Sequence, residues 1–414
     1  MVNHLLSTVA SAGIDRVVVV VSPDMSDVTG ALGKADIAVQ EQALGTGHAA
    51  QCAMASLEGF DGTILILFGA DPLISTTTLE RLIAARRGAD APELVVLGFQ
   101  PTDSAQYGRL VVNAAGQLER IVEYWDADEV TRAINLCNSG TVAVDATTLA
   151  RLLACLGNDN AKGEYYLTDI VGLARQDGAQ CTVVEGDPDE LVGIDTREDL
   201  ARAEAGFQAE ARRAALAGGA TLIDPETVWF SFDTEIGQDV IVEPNVFLGP
   251  GVKIGDGVSI KAFSHLEGCV VRDGAMVGPF ARLRPGADIG AQAKVGNFVE
   301  VKKSQIHRGA KVSHLTYIGD ATVGENANIG AGTITANYDG FRKAQTEIGA
   351  DASIGSNVVL VAPVKVGRGA TIGAGTVVRK DVADDALRVT DTRSIEATHD
   401  GWSNKKRAHA EKKD

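Results

Sequence analysis

Positive charge is scarce in this chain: its 414 residues carry 38 Lys and Arg against 55 Asp and Glu, for a formal net charge of -17. Broad binding of a phosphate backbone needs a basic footprint, so this balance excludes a general nucleic-acid surface. It does not exclude a local nucleotide site. Cysteine is sparse as well. Cys52, Cys137, Cys155, Cys181 and Cys269 are scattered, odd in number and never in Cys-x-x-Cys spacing. That excludes a zinc site of the paired-cysteine kind and suggests reduced cytosolic thiols rather than disulfides. Long apolar runs are missing too. The longest, such as residues 17–21 and 64–68, are too short to span a bilayer. The first residues have neither the basic region nor the cleavage site of a signal peptide. The expectation is a cytoplasmic, soluble protein with no membrane span and no nucleic-acid partner.

Glycine is the residue in excess, with 46 copies, and a repeat accounts for many of them. From about residue 236 to 380, aliphatic residues recur every sixth place. They stand at Ile236, Val242, Leu248, Ile254, Ile260 and Leu266, then at Val277, Leu283, Ile289, Val295 and Val301. They return at Ile348, Ile354, Leu360, Val366, Ile372 and Val378. Glycine often follows the aliphatic residue, as in Ile254-Gly255 and Ile372-Gly373. A period of six fits neither a helix nor a half-buried strand. It fits short strands joined by tight corners, three strands to a coil of eighteen, each aliphatic residue pointing inward. Glycine, asparagine and aspartate at the corners tolerate the positive φ that corners require. This is the hexapeptide signature of a parallel β-helix.

Residues 1–197 alternate helix and strand instead. Strands are expected over 17–21, 64–68 and 94–99, and helices over 3–12, 49–57 and 79–87. This is the pattern of an open, Rossmann-like α/β sheet, whose ligands lie beyond the carboxyl ends of strands. The Gly45-Thr46-Gly47 turn occupies such a position, although a purely structural turn reads equally well there. Residues 198–218, rich in Ala, Glu and Arg and closed by Gly218-Gly219, form a connecting helix. The β-helix then spans 219–390, and 391–414 is a solvated tail.

Four segments of the second half carry a resemblance. Gly278-Pro-Phe-Ala-Arg-Leu-Arg-Pro-Gly286, Gly296-Asn-Phe-Val-Glu-Val-Lys-Lys303, His314-Leu-Thr-Tyr317 and Asn328-Ile-Gly-Ala-Gly-Thr-Ile-Thr-Ala-Asn-Tyr-Asp-Gly340 resemble one enzyme family. Its members join a UDP-N-acetylglucosamine pyrophosphorylase to a glucosamine-1-phosphate N-acetyltransferase. The resemblance covers nearly the whole chain. It implies a left-handed β-helix, an exception to the right-handed crossover rule, assembled as a homotrimer with acetyl-CoA between neighbouring coils.

Acetyl transfer needs a base for the amine proton and donors for the developing oxyanion. The resemblance gives the base to His314, with Glu300 orienting its ring. Arg284 and Lys302 match the family's sugar-phosphate ligands. Tyr317, Asn328, Asn337 and Tyr338 match its other substrate contacts. Ala331, Ser356 and Ala374 match acetyl-CoA contacts, and Arg393 stands two residues from the family's coenzyme arginine. In the first half, Gln40, Gly45, Thr46, Gly108, Glu123 and Asn138 match contacts to the uridine nucleotide and sugar. Asp195 stands where the family has a Mg²⁺-binding asparagine. In Phe68-Gly69-Ala70-Asp71-Pro72-Leu73, alanine takes the place of the family's other metal ligand and Asp71 comes one residue late. On a strand end, that shift of one residue turns the Asp71 side chain to the opposite face.

The family's Gly-rich phosphate loop has no counterpart among these residues. The α/β domain is therefore expected to be truncated, leaving the strand at 17–21 without a neighbour. Three functional expectations follow. In one, acetyl transfer from acetyl-CoA to glucosamine 1-phosphate is intact, while uridylyl transfer from UTP to N-acetylglucosamine 1-phosphate is impaired. In another, the enzyme is complete and bifunctional, with its start misplaced at an internal methionine. The last is a binding scaffold that keeps the fold without catalysis. The set Arg284, Lys302, His314, Asn337 and Tyr338 argues against the scaffold.

Overall fold

The computed structural model describes residues 1–88, 91–104, 106–191 and 193–390. The chain forms two compact units, one running Met1–Phe207 and the other beginning at Gln208. The division falls within a single helix, Arg197–Ala217.

In the first unit the strands are β1 (Val18–Val21), β2 (Asp36–Val39), β3 (Thr63–Ile66), β4 (Leu94–Phe99), β5 (Arg109–Val112), β6 (Leu118–Val122), β7 (Cys137–Asp145) and β8 (Cys181–Glu185). The central strand β4 reads Leu-Val-Val-Leu-Gly-Phe and is buried along its whole length, as a strand covered on both faces should be. It pairs parallel with β8 and antiparallel with β7, which also pairs antiparallel with β3. The strand at 17–21 does have a neighbour: β1 pairs in parallel with β2, Val19 opposite Ile37. The β-branched run found a partner in the short extended segment at 36–39, which the sequence reading had not assigned.

The second unit is a left-handed parallel β-helix. Its strands stack into three parallel sheets of nine, eight and ten strands, one to each side of the prism. The aliphatic column of the sequence is its core, with Val242, Leu248, Ile260, Leu283, Val295, Leu360 and Val378 almost wholly inaccessible. Only Ile236, at the start, is partly buried. Each fully buried aliphatic side chain contributes about 1.5–3 kcal/mol relative to exposure.

Coil length is not constant. Ile236 stands opposite Ile254, eighteen residues on, but Ile254 stands opposite Val271, only seventeen on. One residue has been dropped from three corners, between Leu266 and Val271, Val301 and Ile306, and Ile318 and Val323. These short corners turn through Gly268, Lys303 and Asp320, all at positive φ. A longer interruption falls between Thr335 and Ile348, where residues 337–345 loop out before the ladder resumes at Thr346. These changes explain why the strict period of six lapsed between 266 and 277 and again between 301 and 348.

Another corner is built from bulky residues. Phe263, Phe280, Phe298 and Leu315 occupy the same turn of four successive coils, all at positive φ and all exposed. The three phenyl rings stack with centroids 5.0 Å apart, one coil spacing.

Candidate functional site

The corner of Phe298 and Leu315 lies between two groups of candidate residues. Just before it, strands Lys294–Asn297 and Lys311–His314 run side by side, with Asn297 directly opposite His314. Just after it, strands Glu300–Lys302 and Tyr317–Gly319 pair in the next sheet, with Glu300 opposite Tyr317. His314 and Tyr317 therefore sit either side of one turn. Asn328 lies in the same sheet as His314, one coil on, opposite Lys311 and exposed.

Arg284 follows strand Arg282–Leu283, whose Leu283 pairs with Val301, so Arg284 and Lys302 occupy neighbouring rungs of one column. The Lys302 ammonium is pushed below the usual lysine range, first by Lys343 beside it and also by Arg284, while Asp320 opposes the shift. Crowded cations of this kind are relieved by an anion, and a phosphate monoester offers two charges and three acceptor oxygens. Lys343 reaches the column because the looped-out segment folds back on itself, with Tyr338 bridged to Lys343. In that segment the Asn337 amide donates to the Asp320 carboxylate, and the Tyr338 hydroxyl donates to the Gly340 carbonyl. Asn337 is buried and Tyr338 exposed.

Among the described residues, no hydrogen bond joins Glu300 to the histidine ring. The Glu300 carboxylate accepts from Arg284 Nη1 at 2.8 Å, and His314 Nδ1 instead lies 2.8 Å from Asn297 Oδ1. The guanidinium holds the carboxylate by a charge-assisted hydrogen bond, the stronger kind. Asn297 stands inside one of the resembling motifs but has no role assigned to it there, and Asp320 and Lys343 lie outside the motifs; each makes its contact across a coil boundary or from the loop.

Ala331, Ser356 and Ala374 form a separate column. Each stands two residues past Ile329, Ile354 and Ile372, which pair in series. The Asn357 N–H donates to Ala331 O, and the Gly375 N–H to Ser356 O. Three small residues thus line one edge over three coils. Arg393 lies outside the described residues, as does the tail from 391.

In the first unit, Thr46, Glu123 and Asn138 line one cavity of about 170 Å³ together with Phe68 and Thr168. Gly45 has φ 109°, and a Cβ there would lie 2.7 Å from Tyr165 O, so only glycine fits. The Thr46 hydroxyl accepts from the Leu167 N–H at 3.1 Å. Gln40 secures the same turn, its amide donating to Gly45 O at 3.0 Å. A Cβ on Gly108 would approach both Asn138 and Glu123 within 3.6 Å, so the backbone there borders the cavity. Burial raises the Glu123 carboxyl above its usual range, while a hydrogen bond from Thr168 opposes this.

Asp71 is not turned away from Asp195. Strand β3 ends at Ile66, and the chain then turns, with the Asp71 N–H donating to Phe68 O. The alternation of faces has lapsed before residue 70, so the one-residue offset does not place Asp71 on the far side. The Ile194 N–H donates to Ala70 O at 3.0 Å, drawing the two segments together. Asp71 is buried and its carboxyl is pushed up to about 7, first by burial and then by Asp195. Two carboxylates that repel one another are suited to a hard cation. Among the described residues, no group of three or more His, Cys, Asp or Glu could hold a metal ion.

Two family models match the chain. Nucleotidyl transferase covers residues 1–187, and the bacterial transferase hexapeptide (six repeats) covers 233–268 and 345–380. The first match begins at residue 1, so it gives no support to the expected loss of an amino-terminal loop or to a truncated domain. The chain is 56% identical to the bifunctional protein GlmU of Paramagnetospirillum magneticum, over 99% of this chain and 90% of that protein. It is 55% identical to the protein of the same name from Rhodospirillum rubrum, over 99% and 91%. The Sphingopyxis alaskensis counterpart is 50% identical, over 98% and 89%. No helix among the described residues is long and apolar enough to cross a membrane.

Proposed function

The chain belongs to the bifunctional GlmU family, and from that premise we propose that it makes UDP-N-acetylglucosamine by two transfers in the cytoplasm, as a homotrimer. The β-helix moves an acetyl group from acetyl-CoA to glucosamine 1-phosphate. The first unit moves uridylyl from UTP to N-acetylglucosamine 1-phosphate. The observation that carries the acetyl transfer is the placement of His314 one turn from a crowded cation column of Arg284, Lys302 and Lys343. A sugar phosphate held there by its phosphate brings its amine toward the imidazole.

His314 takes a proton from the amine as its nitrogen attacks the thioester carbonyl. The new N–C bond forms, the C–S bond breaks, and the departing thiolate recovers the proton. Tyr317, Asn328, Asn337 and Tyr338 surround the sugar, and Glu300 shares Arg284 with the phosphate. The column Ala331, Ser356 and Ala374 leaves room for a thin pantetheine arm along the coils, and the resemblance assigns Arg393 to the coenzyme as well. In the first unit, Gln40, Gly45, Thr46, Gly108, Glu123 and Asn138 bind the nucleotide sugar around the cavity. Asp71 and Asp195 would hold Mg²⁺, which when bound neutralises phosphate charge.

Replacing His314 by alanine tests the first assignment. Acetyl transfer should fall roughly a hundredfold or more, since general-base catalysis contributes at least that. Glucosamine 1-phosphate should still bind, because Arg284, Lys302 and Lys343 remain. Near-normal turnover would assign the proton to another group. Release of pyrophosphate from UTP and N-acetylglucosamine 1-phosphate tests the second transfer, and its absence would leave the chain monofunctional.

A further inference from the structure

We propose that Asn297 is a positioning residue which fixes the His314 ring with its proton on Nδ1, leaving Nε2 bare as the base. The inference rests on reading His314 as that base. Asn297 Oδ1 lies 2.8 Å from His314 Nδ1. A carbonyl oxygen can only accept, so this contact requires an N–H at Nδ1. In a neutral imidazole the other nitrogen then carries the lone pair.

The backbone holds the two side chains in that relation. Asn297 and His314 are opposite residues of adjacent parallel strands, so both project to the same side of the sheet. Just before them the two coils meet closely, and a Cβ on Gly296 would lie 2.0 Å from Ser313 O. Just after them the Leu315 N–H donates to Asn297 O at 3.0 Å, where the chain turns at φ 55° for Phe298 and 49° for Leu315. The His314 carbonyl accepts from the Thr316 hydroxyl at 2.6 Å and from the Gly332 N–H at 3.4 Å. The main chain at the histidine is therefore held on both flanks, and the amide contact fixes the ring about its remaining torsions.

A neutral acceptor here also has a chemical purpose. A carboxylate against Nδ1 would favour the imidazolium and keep the base protonated at higher pH. The acidic groups near His314 in sequence are engaged elsewhere, Glu300 with Arg284 and Asp320 with the Asn337 amide. On the strands around His314 the charged side chains are Lys294 and Lys311, opposite each other at the far ends from the pair. The strand of the following coil carries only Asn328 and Ile329. Asn297 thus orients the ring without adding charge.

The test uses the full chain, with Asn297→Ala, Asn297→Asp and His314→Ala measured together. Asn297→Ala should lower kcat for acetyl transfer about tenfold, with KM for glucosamine 1-phosphate within about twofold. Asn297→Asp, which has the same shape, should recover most of kcat and move the acid limb of kcat/KM at least half a pH unit higher. A merely structural role would cost thermal stability and leave that limb where it was. In protein labelled with ¹⁵N-histidine, with His314→Ala to identify the signal, the wild-type ring should be the Nδ1–H tautomer. An Nε2–H tautomer, or an Asn297→Asp profile that overlays wild type, would overturn the proposal. If His314→Ala keeps its turnover, the base assignment has failed. If His314→Ala is inactive and the Asn297 variants match wild type, only the role of Asn297 has failed.

Discussion

Glu300 holds Arg284 by a 2.8 Å ion pair across adjacent coils, with each side chain about one-third exposed. The cation best placed for phosphate is therefore already half-neutralised. At this exposure such a pair is worth at most about 1 kcal/mol. Glu300→Gln should free the guanidinium and lower KM for glucosamine 1-phosphate, by no more than about fivefold. Steady-state kinetics at low ionic strength will separate the possibilities. A higher KM would mean that Glu300 itself binds the sugar.

Gly296 sits where two coils are drawn together beside the candidate base. A methyl group there would be forced 2.0 Å from Ser313 O, a backbone atom that cannot swing aside. Gly296→Ala should therefore push the coils apart at Asn297 and His314. The expected loss is about 1–3 kcal/mol of stability, as for other overpacking changes, with acetyl transfer reduced well beyond that of a remote surface variant. Thermal melting and turnover measured on one preparation will show both effects. An unaltered melting point would mean that the two coils separate at this point without cost.

The end of the long helix belongs to the β-helix. Gln208 exchanges two hydrogen bonds with the Phe230 backbone, at 2.7 and 2.9 Å, and Arg212 donates to the Val228 and Glu226 carbonyls. A fragment beginning at Gly218 loses these partners and leaves buried backbone groups of the first coil unsatisfied, at about 1–3 kcal/mol each. One beginning shortly before Gln208 keeps them. The longer fragment should melt clearly higher than the shorter and retain acetyl transfer. Equal melting points would show that water satisfies the first coil.

Burial raises the Glu123 carboxyl above its ordinary value of 4.5. The folded first unit then keeps a proton that the unfolded chain has already lost. Its contribution to stability is present at low pH and is lost as pH rises from about 4.5 through the higher folded-state pKa. Glu123→Gln removes that dependence. The variant should lose less stability than wild type as pH rises from 4.5 to 7, measured by urea unfolding. Parallel curves would indicate that Glu123 is solvated.

The prism was legible because its inward residues recur at a fixed interval and nearly all are aliphatic. The candidate residues taken from motifs lie close in sequence to the corners they flank, as His314 and Tyr317 flank the turn at Leu315. What could not be read were contacts between coils. Asn297 and His314 are seventeen residues apart, not eighteen, and become opposite only because a residue has been dropped between Val301 and Ile306. Lys343 lies in a segment that obeys no period. In the first unit the misplaced expectation for Asp71 came from extending strand alternation past Ile66, where the strand had already ended.

Because every residue lost or gained in the β-helix falls at a corner, the three flat sides act as a ruler graduated in steps of roughly 4.8 Å. Ala331, Ser356 and Ala374 mark three consecutive graduations, so the first and last stand roughly 10 Å apart along the axis. On the proposed function, the distance along the axis from the phosphate column to the coenzyme column is set by counting coils. Inserting one whole coil between Ile354 and Ile372 would move Ser356 and Ala374 apart by one graduation and leave the coils of Arg284, Lys302 and His314 as they are. The enzyme's reach is thus an integer.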